Sequence, residues 1–310
     1  MITKSKFNIF TTILLISALF TYRFGHTHPV EMKVDTDLIN NTIRIPRKSE
    51  LKLASWNIRI LSDGSRNDKQ LIKIAQNLID YDIIAISELR DEKVLKRLVN
   101  MLSEAGREYA YLISNPVGYK GSTHKELYAF LYYKGLVSVV KNGELYPDDA
   151  DGKDDFIRDP YWATFRAGKF DFAMIVVHII WGDRVAQRRT EITKLGDVYT
   201  YVQKENGDEN DVILVGDFNR DPSDTKAFST LMKHPSMAPL FTLPQKSQIK
   251  DSSLYDNFFF QTDYLTEYLG ISGIDKFDET DFGNDDRAAN LDVSDHRPVW
   301  AVFSIKNDDD

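Results

Sequence analysis

Short runs of almost uncharged, apolar residues constrain this chain more than any other feature. Phe170–Ile179 is nearly all apolar, and Val212–Val215 is entirely so. Such runs are too short to cross a bilayer as helices. They also lack the alternating polar positions of a strand that has one face in water. They therefore predict strands that are buried on both faces, in a sheet covered by further layers.

Helical and strand patterns alternate between about residues 51 and 306. Strands are predicted at Leu51–Ile60, Asp82–Ile86, Leu127–Tyr133, Phe170–Ile179, Val212–Val215, Leu254–Phe260 and Pro298–Ile305, and helices at Lys69–Leu78, Glu92–Leu102 and Arg184–Gln203. This mixed order indicates a layered α/β or α+β fold. The 310 residues, 42% hydrophobic and 12% aromatic, are enough for one large core or two ordinary ones.

Composition excludes several classes of function. The chain has no cysteine, which excludes disulfides, thiolate zinc sites and a cysteine nucleophile. Any metal must therefore bind to oxygen or imidazole ligands. The net charge of −8 argues against a protein that coats nucleic acid by bulk charge. This net charge remains compatible with an enzyme that binds phosphate through a bound cation.

Polar side chains lie at the ends of most predicted strands. They are Asn57, Glu88, His178, the pair Asp217 and Asn219 in Gly216-Asp217-Phe218-Asn219, and the pair Asp295 and His296 before the last strand. Each alone has an ordinary explanation as a turn residue, a cap or a core histidine. Together they are harder to explain, because buried polar groups are costly unless they pair or bind a metal. Since strand ends are where layered α/β enzymes assemble their sites, the set predicts a functional site.

The chemistry of this set is coherent. Glu88, Asp295 and the amide oxygen of Asn57 are hard ligands suited to Mg²⁺, Mn²⁺ or Ca²⁺. His178 and His296 supply imidazoles, the side chain best suited to proton transfer at physiological pH. The sequence contains no Gly-x-Ser-x-Gly elbow, P-loop or Rossmann fingerprint. The residues fit attack by water on a metal-held phosphoryl group.

These motifs resemble the endonuclease/exonuclease/phosphatase superfamily, and within it the deoxyribonuclease I branch. The matching pieces are Trp56-Asn57, Glu88-Leu89-Arg90-Asp91, Lys125-Glu126-x-Tyr128, Phe156-x-Arg158-x-Pro160, His178-x-x-x-Gly182-Asp183, Gly216-Asp217-Phe218-Asn219, Tyr255-Asp256 and Ser294-Asp295-His296. They cover most of residues 51–304. The resemblance implies a four-layer α/β sandwich, in which two packed mixed β-sheets are flanked by helices.

The resemblance also implies the metal site and two catalytic pairs. A divalent cation, Mg²⁺ first and Mn²⁺ or Ca²⁺ as alternatives, is expected near Glu88, with Asn57 and Asp295 close by. Glu126 is expected to pair with His178, and Asp256 with His296. Each carboxylate would fix the tautomer of its imidazole and raise its basicity.

Further roles follow from the same resemblance. Asp217 and Asn219 would orient the nucleophile and hold the scissile phosphate. Arg158 would neutralise a phosphate oxygen, and Arg90 would reach toward a groove of the duplex. We assign His296 as general base and His178 as general acid, although the sequence is equally compatible with the reverse.

The predicted activity is metal-dependent endonucleolytic cleavage of DNA, taken as a duplex with little sequence preference, by a monomer. Two departures from the family pattern affect the substrate. This chain has His124 and Asn257 where the branch has a groove-packing Tyr and an Arg. A phosphodiesterase or phosphatase of the same fold acting on RNA, sphingomyelin or inositol phosphates is therefore the alternative. A catalytically silent binding module is disfavoured, since no catalytic side chain is lost.

The N-terminus indicates export. Lys4 and Lys6 precede an uncharged run at residues 7–20, the pattern of a secretory signal. We assign residues 1–24 to a signal peptide or N-terminal anchor, 25–50 to a linker, 51–306 to the catalytic domain and 307–310 to an acidic tail. The protein is thus expected to be secreted or periplasmic. A membrane tether through residues 7–20 and a buried N-terminal helix are the alternatives.

Overall fold

The computed structural model describes residues 49–148, 152–207 and 210–308. The strands in these residues are β1 (Glu50–Leu61), β2 (Ile83–Leu89), β3 (Tyr109–Ile113), β4 (Leu127–Tyr133), β5 (Val137–Leu145), β6 (Tyr161–Ala167), β7 (Phe170–His178), β8 (Val212–Asp217), β9 (Met237–Pro239), β10 (Asp256–Gln261), β11 (Tyr268–Ile274) and β12 (Val299–Ser304). The helices are α1 (Asp68–Leu78), α2 (Glu92–Glu104), α3 (Val185–Glu205), α4 (Phe277–Thr280) and α5 (Asp286–Asp292). The predicted signal or anchor lies outside the described residues. Within them, no helix combines the length and the apolar character needed to cross a bilayer.

The strands form two mixed sheets of six strands each. The first has the order β11-β12-β1-β2-β4-β3, and the second has the order β5-β6-β7-β8-β10-β9. Helices α1 and α2 pack on the outer face of the first sheet, and α3 packs on the outer face of the second. This is the predicted four-layer α/β sandwich.

The alternation of side chains in β1 shows how the layers are joined. Leu51 and Leu53 face the core between the two sheets, where Phe172 and Met174 of β7 also lie. Ala54 and Trp56 point the other way, into the core beneath the helices. Both faces of this central strand are covered, so even its polar residues Lys52, Ser55 and Asn57 are buried.

Strand direction brings the site residues to one edge of the molecule. β1 runs parallel to β2, and β7 runs parallel to β8, so each pair ends on the same side. The antiparallel neighbours β4, β10 and β12 begin where these pairs end. Residues that end one strand therefore lie beside residues that begin another. The hydrogen bond from Asn57 Nδ2 to Asp217 Oδ2, 3.1 Å long, joins the first sheet to the second at this edge.

Candidate active site

The first imidazole–carboxylate pair lies at the end of β7. His178 Nδ1 is 2.8 Å from Glu126 Oε2, in the residue that precedes β4. Glu126 also accepts a hydrogen bond of 2.9 Å from Arg158 and a longer one of 3.4 Å from Arg90. Burial alone would raise the pKa of Glu126, but the interaction with His178 and the nearby guanidiniums of Arg158 and Arg90 lower it to about 2. Glu126 is therefore ionised, and it holds the imidazole with Nε2 toward the cleft.

The second pair lies where β10 and β12 begin. His296 Nδ1 is 2.8 Å from Oδ2 of Asp256, which is fully buried. Burial would lower the pKa of His296, but the negative charges of Asp256, Asp217 and Asp295 outweigh it and raise that pKa well above 6.5. The backbone N–H of Asp256 donates to Ser247 Oγ, which fixes the carboxylate relative to the neighbouring loop.

Asp217 lies between the two imidazoles. Its Oδ2 is 3.7 Å from His178 Nε2 and 3.7 Å from His296 Nε2. The same oxygen accepts a hydrogen bond from Asn57, and Oδ1 accepts one of 2.8 Å from the backbone N–H of Asn219. Asn219 in turn donates from Nδ2 to the carbonyl of Ile179, so the loop after β8 is tied to the end of β7. Two histidines from different elements thus face one carboxylate.

Glu88 occupies the strained end of β2. Its φ is +58°, a left-handed value that few non-glycine residues adopt. In this conformation Oε1 accepts from Asn57 Nδ2 at 3.1 Å, and Oε2 accepts from the backbone N–H of Ile60 at 3.1 Å. Backbone strain at a polar residue that lines a cleft is typical of a functional site.

The donor set fits a hard divalent cation. Asn57 Oδ1 is buried, and no group in the described part of the chain donates a hydrogen bond to it. Since buried acceptors are rarely left unsatisfied, this oxygen is suited to a cation. Glu88 and Asp295 line the cleft beside it. Atoms of Asp217, Asp256 and His296 also lie within 4.8 Å of one another, a second arrangement able to hold an ion.

The predicted site residues converge on one cleft of about 440 Å³. Its walls include His178, His296, Glu126, Asp217, Asn219, Arg158, Arg90, Glu88 and Asp295. Asn57 and Asp256 lie directly behind, hydrogen-bonded to Glu88 and His296 respectively. Every residue that the sequence analysis assigned to the site therefore either lines the cleft or is hydrogen-bonded to a residue that lines it.

Three further residues line the cleft and were missed by the sequence analysis. They are Ile60, Trp181 and Gln248. Trp181 lies inside the motif that begins at His178, and a large aromatic side chain after two isoleucines was an available signal. Gln248 comes from an irregular segment that bridges to the backbone of His296, and nothing in the local pattern indicates it.

The structure changes the interpretation of two positions that were expected to contact DNA. Asn257 is buried, and its amide bonds to both the N–H and the carbonyl of Phe241. The side chain of Asn257 therefore cannot contact a duplex. The presence of Asn where the family pattern has Arg affects the packing of the core. Arg90 donates to the carbonyl of Lys125 and to Glu126, with 26% of its side chain exposed. Its guanidinium is engaged with the His178 pair.

Comparison with known families agrees with this geometry. A model of the endonuclease/exonuclease/phosphatase family matches residues 54–271. The chain belongs to this family. Its relatives in the family include a deoxyribonuclease of Thioalkalivibrio sp. (strain K90mix), 34% identical over 267 residues, covering 82% of this chain and 71% of the relative. Deoxyribonuclease-1 of Bos taurus is 30% identical over 269 residues, covering 82% and 92%.

Solved structures of the family show the same fold. A family protein from Bacteroides vulgatus superposes with a TM-score of 0.56 at 21% identity, covering 83% of this chain and 99% of that one. The human Nocturnin catalytic domain gives 0.56 at 14% identity, covering 82% and 94%. Family membership and the deoxyribonuclease I-like relatives together make this chain a phosphodiester hydrolase.

Proposed function

We propose that the protein is a divalent-metal-dependent endonuclease that hydrolyses DNA by in-line attack of water on the phosphodiester. The observation that carries this proposal is the pair of carboxylate-held imidazoles whose Nε2 atoms both lie 3.7 Å from Asp217. A pair of this kind can remove a proton from water and supply one to a leaving oxygen. The relatives named deoxyribonuclease support DNA as the substrate.

The chain's own groups account for the proton transfers. We assign His296 as the base: in its neutral form, which the carboxylates around it disfavour and added positive charge in the cleft would favour, it takes a proton from the attacking water while Asp256 keeps its Nδ1 occupied. His178 gives a proton to the leaving oxygen and remains paired with Glu126. Asp217 orients the water, Asn219 holds the scissile phosphate, and Arg158 neutralises one of its oxygens.

The charge of the cleft supports the need for a cation. Four carboxylates, those of Glu88, Glu126, Asp217 and Asp295, line the cleft, against two guanidiniums, those of Arg90 and Arg158. A phosphodiester would be repelled by the excess negative charge unless positive charge is added. A divalent cation held by Glu88, Asn57 and Asp295, most simply Mg²⁺, supplies that charge and stabilises charge that develops on the phosphoryl oxygens.

The test uses supercoiled plasmid and purified protein in Mg²⁺ and then in EDTA. We expect nicking in Mg²⁺, none in EDTA, and a loss of about 10²-fold or more in Glu88→Gln, because the cation would be held poorly. Glu104→Gln, an exposed change at the end of α2, is the matched control and should keep full activity.

RNA, sphingomyelin and inositol phosphates are tested in parallel. Folded protein that leaves DNA intact and hydrolyses one of these would replace the DNA proposal with the same-fold alternative.

Export is proposed separately, from the basic and then apolar pattern at residues 1–24. Sequencing the N-terminus of the mature protein tests it, since a cleaved signal would remove those residues.

A further inference from the structure

We infer that Trp181, held by Arg188 and Tyr255, is a stacking platform for an unpaired nucleobase, so that the enzyme prefers single-stranded DNA. We call these three residues the Trp181 platform. This inference rests on the nuclease function proposed above and specifies its substrate.

The position of Trp181 is the first observation. The chain leaves β7 at His178, passes through buried Ile179 and Ile180, and then turns Trp181 outward with 54% of its surface exposed. Trp181 lines the same cleft as the two catalytic imidazoles. A large apolar side chain exposed at the wall of a polar cleft is typical of a binding site.

The backbone that carries this indole is fixed on both sides. The N–H of Ile180 donates to the buried carboxylate of Glu191 at 2.7 Å, and the carbonyl of Ile179 accepts from Asn219 at 2.8 Å. The carbonyl of Trp181 accepts from Arg188 Nε at 2.5 Å. Because this segment is already ordered, a ligand that stacks on the indole loses little conformational entropy on binding.

The ring itself is also supported. The guanidinium of Arg188 lies 4.0 Å from the centre of the indole, in a cation–π contact. The ring of Tyr255 lies 5.8 Å away at 60°, and Tyr255 directly precedes Asp256. The Trp181 platform therefore connects the loop of the first catalytic pair to that of the second. A base stacked there belongs to a nucleotide next to the scissile phosphate.

Charge and base geometry favour a single strand over a duplex. In a duplex each base face is covered by its neighbours, whereas an unpaired base can stack on an aromatic side chain. Proteins that grip duplex DNA rely on unpaired Lys and Arg at phosphates. Here the net charge is −8, and Arg90 already bonds to the carbonyl of Lys125 and to Glu126. Stacking adds affinity that does not depend on charge.

The experiment measures kcat/KM on a single-stranded oligonucleotide and on a duplex of the same sequence. Trp181→Ala should lose about tenfold or more on the single strand, mainly through KM, because stacking of one base is lost. The ratio of single-strand to duplex activity should fall at least about fivefold. Trp181→Phe should retain most of that ratio. Tyr264→Ala, another exposed aromatic, is the control and should match wild type on both substrates.

A second readout does not require cleavage. Trp181 lines the cleft, whereas Trp56 and Trp162 are fully buried and the ring of Trp300, on β12, lies under Lys52, so Trp181 is the tryptophan that a ligand in the cleft would quench most. In EDTA, a single-stranded oligonucleotide should quench the fluorescence of wild type and leave that of Trp181→Phe nearly unchanged. Folding of each variant is checked by circular dichroism.

The outcomes separate the two proposals. Equal losses on both substrates in folded Trp181→Ala, or no loss on either, would overturn the platform and leave the nuclease intact. Quenching by DNA without cleavage of either DNA would overturn the nuclease and leave a DNA-binding platform. Neither quenching nor cleavage would overturn both.

Discussion

At the scale of single residues, each of the two imidazoles in the cleft has one nitrogen committed to a buried carboxylate. Glu126 and Asp256 accept from Nδ1 of His178 and His296, so Nε2 of each ring faces the cleft. This arrangement fixes the tautomer before substrate arrives. Both carboxylates therefore affect the imidazoles by holding each ring in place and by their negative charge.

Glu126 should contribute stability that depends on pH. Its pKa is lowered from 4.5 to about 2, so the unfolded chain binds a proton at Glu126 more readily than the folded one does. The contribution is fully present above about pH 4.5 and is lost as the pH falls toward 2. As the pH falls from about 4.5 toward 2, the free energy of unfolding should therefore decrease less in Glu126→Gln than in wild type. Urea unfolding from pH 7 down to 2 measures it, and an equal loss in Glu104→Gln and Glu126→Gln would contradict it.

The assignment of acid and base predicts different responses to the leaving group. Replacing either histidine with Ala should slow DNA cleavage by about 10² or more. A thymidine nitrophenyl phosphodiester has a leaving group that needs no proton. On that substrate His178→Ala should recover most of its activity, and His296→Ala should not, if His178 is the acid. The opposite pattern would exchange the roles, and full activity of either variant on DNA would remove that histidine from the mechanism.

At the scale of elements, the parallel contact between β7 and β8 depends on one glycine. Gly216 has a φ of +140°, and a Cβ placed there would lie 2.0 Å from the carbonyl oxygen of Val177. It pairs with Val177 in the sheet directly before the pair His178 and Asp217. A side chain at 216 would push apart the two strands that present the first imidazole and the central carboxylate.

Gly216→Ala should destabilise the protein by about 3 kcal/mol or more, because it adds both a clash and backbone strain. Gly64→Ala is the control, since no atom lies within 4 Å of its added Cβ and its φ is ordinary. That change should stay within about 0.5 kcal/mol. Chemical unfolding of both variants checks the difference, and similar midpoints would show that the strands can separate at little cost.

Not every element was predictable. All four edge strands were missed. β3 and β9 have only five and three residues, β5 contains the run Lys141-Asn142-Gly143-Glu144, and β11 contains Gly270 and Gly273. Short length and residue types that are depleted in strands both weaken a strand signal. β6 was missed although Tyr161–Ala167 is rich in aromatic residues and buried, so that signal was available. The other interior strands were predicted, most of them because burial leaves an apolar run in the sequence, and β1 because its apolar and polar residues alternate.

At the scale of the whole molecule, the site is shared by both sheets. Asn57 and Glu88 belong to the first sheet, and His178 and Asp217 belong to the second. The bond between Asn57 and Asp217 is thus a contact between layers. A ligand that bridges this edge should stabilise the whole fold.

Cation binding should therefore raise the melting temperature. At a concentration about 100 times Kd, a ligand that binds only the folded state adds about 2.7 kcal/mol, or about 5 to 10 °C for a domain of this size. Wild type should show this rise in Mg²⁺, and EDTA should reverse it. Glu88→Gln should show little of it, while Glu104→Gln should behave as wild type. An equal rise in melting temperature in wild type, Glu88→Gln and Glu104→Gln would show that the cation binds at a different site.

The sequence by itself determined the layered fold class and the chemical groups of the site. Buried strands must be apolar on both faces, and polar groups at their ends must be compensated, so both leave local patterns. The tertiary structure alone decided how those groups meet. Asn57 reaches Asp217 across 160 positions, Asn257 turns into the core, and Trp181 turns into the cleft. Strand register and packing between layers determine where these side chains lie, and neither can be predicted from the residues adjacent in sequence.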